Sequence, residues 1–287
     1  MTTLLPSLFV SHGAPTFALE PGPAGCALHA LGALLPRPRA VLVLSPHWIT
    51  AGLEIGTNPQ PPTIHDFGGF PDALYRLRYP AAGAPHVAQE VMAQLTRAGL
   101  AARANPDRGL DHGTWTPLLH LYPDADVPVV PLSLPLTDSP EVVHALGQAL
   151  AGLSESGVLF LASGAITHNL HDVRPGRAQG SGYAPRFMDW MASTIAAGDL
   201  PALLDYRRRA PDAARAHPTP EHLLPLFAAI GAAGDAWQPA FRLPGGLTYG
   251  VIGMDAYAFG VDQALRPTFQ TATASTWESM SPMSGTR

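Results

Sequence analysis

The chain has 287 residues, of which 46% are apolar, and a net charge of −5. It is therefore long enough to bury a full core, and it has no excess of positive charge for binding a nucleic acid. The sequence contains arginine but no lysine, which excludes a pyridoxal Schiff base, a lysine-dependent aldolase and a P-loop. We expect no contact with a membrane, because no apolar stretch approaches the length that spans a bilayer.

Apolar runs and helical spacing predict an alternation of strands and helices. In chain order, we expect strands at 7–11, 40–45, 53–56 (an edge strand), 128–134, 158–163 and 247–258. Apolar residues at three- and four-residue spacing predict helices at 24–35, 85–100, 139–153, 184–197 and 220–231. The alternation predicts an α/β fold, in the form of a single three-layer domain with a mostly parallel or mixed central sheet flanked by helices.

The remaining segments set the expected domain limits and cellular compartment. The proline- and glycine-containing loop 57–80 is typical of segments that cover an active site. We assign a catalytic domain to residues 1–266 and expect a polar, loosely ordered tail over 267–287. No charged region precedes the first apolar run, and the single cysteine, Cys26, permits no internal disulfide, so we expect a cytoplasmic protein without a secretory signal. Cys26 lies in an alanine- and leucine-rich stretch, which predicts a buried, unreactive thiol.

Histidines follow three of the predicted buried strands. The pairs of strand and histidine are 7–11 with His12, 40–45 with His47, and 158–163 with His168. Ligands of open α/β sheets bind beyond the carboxyl ends of the strands, so these three side chains can converge on one point. A fourth histidine, His222, lies near the start of the helix predicted at 220–231. Neutral imidazole is the commonest metal ligand among side chains, so the placement favours a metal site.

Glu221 and His222 compete for one ligand position. Thr219 is expected to be the N-cap of the helix and Pro220 its first residue, which places His222 in the first turn. Adjacent helical positions point about 100° apart, so one of the two side chains faces the metal. We predict His222, because the helix dipole at this end disfavours imidazolium and keeps the ring neutral.

Six segments, in this order, carry a resemblance to a known family. They are Ser-His-Gly-Ala-Pro (11–15), Ser-Pro-His-Trp (45–48), His-Asp-Phe-Gly-Gly-Phe-Pro (65–71), Leu-Asp-His-Gly-Thr-Trp (110–115), Ser-Gly-Ala-Ile-Thr-His-Asn-Leu (163–170) and Pro-Thr-Pro-Glu-His (218–222). Over roughly residues 6–265 the chain resembles the class III extradiol ring-cleaving dioxygenases, in the 4,5-DOPA dioxygenase extradiol-like subgroup. The resemblance implies one α/β domain with one non-haem metal, which opens the ring of a catechol with O₂ to a muconic semialdehyde-type product.

The resemblance also implies roles for individual residues. His12, His47 and His222 match the metal ligands, with Fe(II) expected for activity and Zn(II) as an alternative bound metal. His168 matches a histidine beside the metal, which is either an acid/base group or a fourth ligand. His112 matches a second pocket histidine that contacts substrate and takes part in proton transfer.

Two further residues are candidates for substrate binding, and each has an ordinary alternative. His65 either contributes to a lid over the site or shapes the loop 57–80. Trp48 either stacks on an aromatic substrate or belongs to the core. His112 has an alternative too, because Asp111-His112-Gly113 also reads as an ordinary turn.

Three functions are compatible with these residues. The first is the extradiol dioxygenase, acting on L-DOPA or another substituted catechol. The second is a zinc-dependent hydrolase on the same scaffold, since the same ligands would activate a water. The third is a non-catalytic metal-binding member, because fold does not fix function. The expected partners are a small aromatic diol and O₂, and an oligomer is compatible with the sequence. An amino-acid substrate would need a cation for its carboxylate, for which Arg76, Arg78 and Arg186 are candidates.

Overall fold

The computed structural model describes residues 4–174, 182–267 and 269. Its strands are β1 (Ser7–Ser11), β2 (Ala40–Thr50), β3 (Leu53–Gly56), β4 (Ala102–Asn105), β5 (Val129–Pro135), β6 (Val158–Gly164), β7 (Phe241–Leu243), β8 (Leu247–Thr248), β9 (Ile252–Gly253) and β10 (Ala256–Phe259). Its α-helices are α1 (Gly22–Leu34), α2 (Asp72–Arg76), α3 (Pro85–Arg97), α4 (His112–Leu121), α5 (Pro140–Ala149), α6 (Tyr183–Ala197), α7 (Leu200–Leu204), α8 (Tyr206–Arg209), α9 (Ala213–Ala216) and α10 (Leu224–Ala232).

Eight of the strands form one mixed sheet in the order β4-β3-β5-β2-β6-β1-β10-β7. The central strands β5, β2, β6 and β1 run parallel to one another, whereas β3 is antiparallel to β5 and β10 is antiparallel to β1. Every residue of β1 and β6 is buried. Because successive side chains point to opposite faces, both faces of the sheet are covered. The predicted α/β domain with a mixed, helix-flanked sheet is confirmed.

Helices pack on the central strands in pairs. α1 packs on α4, and α4 contacts β2 and β6; α5 packs on α10, which contacts β6 and β1. These helices bury the apolar strands that end at the histidines named above. In the part of the chain that the structure describes, no helix is both long and apolar enough to cross a membrane.

Most predicted elements are present, with differences at the sheet edges. Segment 53–56 is a strand, but β4 lies outside it, so β3 is not the edge of the sheet. The sequence of β4, Ala-Arg-Ala-Asn, has two exposed positions and carries no apolar signal. The strand predicted at 40–45 continues to Thr50, because pairing with β5 resumes at Ile49 after an irregularity in register.

The segment predicted as one strand at 247–258 is divided into β8, β9 and β10, and only β10 joins the large sheet. Tyr249 and Gly250 have φ values of 52° and 75°, which turn the chain between β8 and β9. The predicted helix at 220–231 begins later, at Leu224.

The helix α4 was not predicted, although it carries His112. Its sequence contains Gly113 and Pro117, which are unfavourable inside helices. Asp111 nevertheless caps it, because its carboxylate accepts a 3.0 Å hydrogen bond from the Thr114 backbone N–H. Asp111-His112-Gly113 is therefore a helix start.

Two further expectations concern Cys26 and the predicted tail. Cys26 is exposed, so the prediction of a buried thiol is wrong: it lies on the outer side of α1, whose buried face includes Ala24 and Leu28. Of the predicted tail, residues 268 and 270–287 lie outside the described residues. Phe269 is buried, with its ring centroid 5.5 Å from that of Phe241.

Candidate metal centre

Five histidines from separate parts of the sequence lie together at one end of the central strands. The His12 ring centroid is 5.0 Å from that of His47 and 5.4 Å from those of His112 and His222. The centroids of His47 and His112 are 4.0 Å apart, and His168 stacks on His222. His12 and His168 follow the neighbouring strands β1 and β6, and His47 lies in β2, the neighbour of β6 on its other side. Since parallel strands end at the same edge, the convergence predicted from sequence is found.

The hydrogen bonds of His12 fix which ring nitrogen carries the proton. The Ser163 hydroxyl donates its single hydrogen to the Gly113 carbonyl, and its oxygen lies 2.8 Å from His12 Nδ1. The hydroxyl oxygen must therefore accept from Nδ1–H. This leaves a lone pair on His12 Nε2, which lies 3.1 Å from His47 Nε2.

The same reasoning applies to His222. Its Nδ1 lies 3.1 Å from Glu221 Oε1, and a carboxylate can only accept, so Nδ1 carries the proton. Its Nε2 is buried without a hydrogen-bond partner among the described residues. A buried lone pair without a donor is costly in a protein that binds nothing there, so it fits a bound metal.

His222 is held by a turn and not by a helix. Its carbonyl accepts a 2.8 Å hydrogen bond from the Ala165 N–H, which ties the turn to the end of β6. The Thr219 hydroxyl donates to Glu221 Oε1 at 2.9 Å, so the expected N-cap role of Thr219 is wrong. The dipole argument for His222 fails with it, because α10 begins only at Leu224.

One nitrogen from each of His12, His47 and His222 lies within 4.8 Å of the other two. Burial lowers the pKa of His12 and of His222 well below the ordinary histidine value, and the other imidazoles add to this effect. Burial also lowers the pKa of His47 to about 4. The three rings are therefore neutral at pH 7, which is the form that binds a metal.

Asp66, from the loop 57–80, holds two of the rings. Its Oδ1 accepts a 2.9 Å hydrogen bond from the His112 backbone N–H. Its Oδ2 lies 3.0 Å from His112 Nδ1 and 3.4 Å from His47 Nδ1. Burial acts to raise the pKa of Asp66, but the hydrogen bonds and charge of His112 outweigh it and lower the pKa to about 2. This role of Asp66 was not predicted from the sequence, where the only signal was its position in the segment 65–71.

His168 is half-buried and lies beside the three-histidine group. Its backbone N–H donates to the Ala216 carbonyl at 2.9 Å, and burial lowers the pKa of its ring to about 4. One of its ring nitrogens lies within 4.8 Å of a carboxylate oxygen of Glu221 and of a ring nitrogen of His222.

His65 and Trp48 lie farther from the centre. His65 Nε2 is 3.1 Å from the Leu77 carbonyl oxygen, and its ring contacts Phe67, which in turn lies 5.7 Å from His112. The Trp48 ring packs under the guanidinium of Arg108, with the carbon 4.8 Å from the ring centre. Trp115 is buried, and its indole N–H donates to the Ile64 carbonyl, as expected of a core residue.

Comparisons with known proteins identify the family of the chain. Residues 28–259 match the family described as the catalytic LigB subunit of aromatic ring-opening dioxygenase. A protein of Escherichia coli K12 named 4,5-DOPA dioxygenase extradiol is 36% identical over 90% of this chain and 96% of its own length. A protein of the same name from Beta vulgaris is 36% identical over 80% of this chain and 87% of its own length. The crystal structure of an uncharacterized protein from Escherichia coli K12 superposes with a TM-score of 0.72 at 28% identity, covering 89% of this chain and all of that chain.

The matched region contains four of the five clustered histidines, all but His12, and the family implies an aromatic substrate, O₂ and a catalytic metal. One nitrogen from each of His12, His47 and His222 is available to hold such a metal. The chain belongs to the LigB family of aromatic ring-opening dioxygenases and is an extradiol dioxygenase.

Proposed function

We propose that the protein opens the ring of a catechol beside its two hydroxyls, using Fe(II) held by His12, His47 and His222, within a catalytic domain of residues 1–266. The observation that carries this proposal is the buried, unpartnered Nε2 of His222 beside the close Nε2 atoms of His12 and His47. The product expected is a muconic semialdehyde. L-DOPA is the first substrate to test, because the relatives from two organisms are named for it.

The donor set fits a single transition metal. The three neutral imidazoles would hold the ion, and bound iron(II) would supply a centre that takes both the catechol and O₂ and passes electron density between them. The same three nitrogens would also hold zinc. We therefore propose Fe(II) as the active metal and Zn(II) as a metal that the same site retains.

The neighbouring histidines would accept the protons of the catechol hydroxyls. His112 Nδ1 faces Asp66, which leaves Nε2 to take a proton from a substrate hydroxyl. The Asp66 carboxylate, whose side chain is 23% exposed, then stabilises the imidazolium that forms, as a carboxylate does in a catalytic triad. His168 is neutral at pH 7 and stands beside the ligand group, so it can accept a second proton and return it later. His65 and Trp48 stay predicted substrate contacts.

Anaerobic reconstitution tests the proposal. The purified protein is stripped of metal, loaded with Fe(II) or Zn(II), mixed with a catechol without oxygen, and then exposed to air. Oxygen uptake with a yellow product in the Fe(II) sample alone is the expected result. Ester or amide hydrolysis by the Zn(II) sample, without oxygen uptake by either, would instead indicate a zinc hydrolase.

A further inference from the structure

A cavity of about 430 Å³ lies beside the histidine centre, and the proposed catalytic steps do not use it. Two of its lining residues connect it to the centre. Glu221 lines the cavity and also accepts the hydrogen bond from His222 Nδ1. Ile49 lines it two residues after His47 in β2, and alternate residues of a strand face the same side. The cavity thus adjoins the centre on the Glu221 side of His222.

Part of the cavity wall is apolar and open to solvent. Ile49, Leu136 and Leu204 contribute to it, and Leu136 is 73% exposed. Large exposed apolar side chains around a concave surface are typical of small-molecule sites. The wall therefore fits the carbon chain of a ring substituent.

Three charged side chains line this cavity. Glu221 is held by His222 and Thr219, whereas Arg207 and Asp138 form no ion pair within residues 4–174 and 182–267. The guanidinium of Arg207 donates to the carbonyls of His217 and Pro218. A guanidinium has five N–H donors, so Arg207 keeps donors for a ligand. Asp138 also lines the cavity and is exposed.

The arginines expected from sequence to bind a substrate carboxylate are less well placed. Arg78 donates to the carbonyls of Tyr75 and Leu77, and Arg186 pairs with Asp212 at 2.6 Å. Neither Arg76, Arg78 nor Arg186 lines the cavity beside the histidines.

We propose that this cavity is the subsite for the ring substituent of the substrate, with Arg207 binding a carboxylate and Asp138 an ammonium group. The inference rests on the proposed function, since it takes a catechol at the histidine centre as given. It assigns substrate selectivity to residues that do not touch the metal, and it favours catechols whose side chain carries charge.

Four catechols with the same two-carbon chain separate the contribution of a carboxylate from that of an ammonium group. They are 4-ethylcatechol, which is neutral; 3-(3,4-dihydroxyphenyl)propionate, which adds a carboxylate; dopamine, which adds an ammonium group; and L-DOPA, which has both. The measured quantity is kcat/KM for each, expressed as a ratio to 4-ethylcatechol. A fall in kcat/KM that is equal for all four substrates, such as one caused by a shift of His217 and Pro218, cancels in this ratio.

Arg207→Gln should lower the ratio for the propionate by about tenfold, the value of one charge-assisted hydrogen bond, and leave the ratio for dopamine unchanged. Asp138→Asn should lower the ratios for dopamine and L-DOPA and leave the ratio for the propionate unchanged. Leu136→Glu adds a carboxylate at the exposed rim without removing a hydrogen bond, and should lower the ratio for the propionate. The matched control Arg208→Gln removes an arginine that pairs with Asp205 outside the cavity, so it should change no ratio.

Equal changes for all four substrates in Arg207→Gln, together with no change of ratio in Leu136→Glu, would overturn the subsite. Failure of the wild-type protein to consume oxygen with any of the four would instead contradict the proposed function. The two failures are therefore distinguishable in one set of assays.

Discussion

The imidazole of His168 lies face to face on that of His222, with 3.5 Å between ring centroids and 7° between planes. An imidazole binds a metal in the plane of its ring. Because the two rings are stacked with nearly parallel planes, a nitrogen lone pair of His168 and one of His222 would not point at the same ion. This relationship favours His168 as an acid/base group over a fourth ligand.

Replacing His168 should therefore slow turnover without removing the metal. We expect His168→Ala to retain iron and to lose roughly 10²–10⁴-fold in kcat, the usual contribution of general acid–base catalysis. His168→Gln should be nearly as slow, because an amide does not transfer protons at neutral pH. Activity is measured against Fe(II) concentration for both variants. Recovery towards the wild-type rate at saturating iron would make His168 a ligand.

The ligand assignment predicts a graded loss of metal. His12→Ala, His47→Ala and His222→Ala should each abolish metal retention through gel filtration. Glu221→Gln should weaken it by about 10–100-fold, because Glu221 orients the His222 ring without binding the metal. Elemental analysis of the four variants is the measurement. Retention in His222→Ala with loss in Glu221→Gln would show that the carboxylate is the ligand.

Asp66 should act through His112. Asp66→Asn removes the negative charge beside His112 Nδ1, so we expect kcat to fall by about 10–100-fold, the usual cost of losing a carboxylate that supports the residues of a metal site. Metal content is measured in parallel, because Asp66 also lies near His47. Asp72→Asn, on the neighbouring helix α2, is the control and should retain full activity. An unchanged kcat in Asp66→Asn would exclude this role.

Buried neutral histidines should make the metal-free protein sensitive to acid. Burial lowers the pKa of His217 to about 3, whereas the unfolded chain has a histidine pKa of about 6.5. Between these values the unfolded state binds a proton that the folded state does not. Stability is therefore lost as pH falls below about 6.5, by up to about 1.4 kcal/mol per pH unit for each such residue.

His217→Gln isolates this contribution, because His217 is not in any of the residue groups that could hold a metal. Urea unfolding of the metal-free protein between about pH 6 and 5 should show a slope smaller by about 1.4 kcal/mol per pH unit in the variant. An identical pH dependence in both proteins would mean that His217 is protonated in the folded state.

The sequence predicts the part of the site that depends on local pattern. Strands β1 and β6 are continuous apolar runs, and the position of His12 and His168 just after them follows from chain order alone. The sequence does not predict α4, because Gly113 and Pro117 are unfavourable inside helices. The Asp111 cap and tertiary packing stabilise the helix nevertheless. The contact of Asp66 with His112 could not be predicted either, because the two residues are 46 positions apart in the sequence.

The charge state of His222 was predicted correctly for a reason that proved wrong. The expected helix dipole is absent, because His222 lies in a turn before α10, and its neutrality comes from burial and neighbouring imidazoles. Burial by residues that are distant in the sequence cannot be predicted from a short stretch of it.

The most direct test of the central claim is the fate of labelled oxygen. The Fe(II)-loaded protein is given a catechol and ¹⁸O₂ in a single turnover, and the product is examined by mass spectrometry with quenching fast enough to limit aldehyde exchange. We predict one O₂ consumed per catechol and a ring-opened product that carries label in its new carboxylate. A product without ¹⁸O, or an intact ring after oxygen is consumed, would contradict extradiol cleavage at this site.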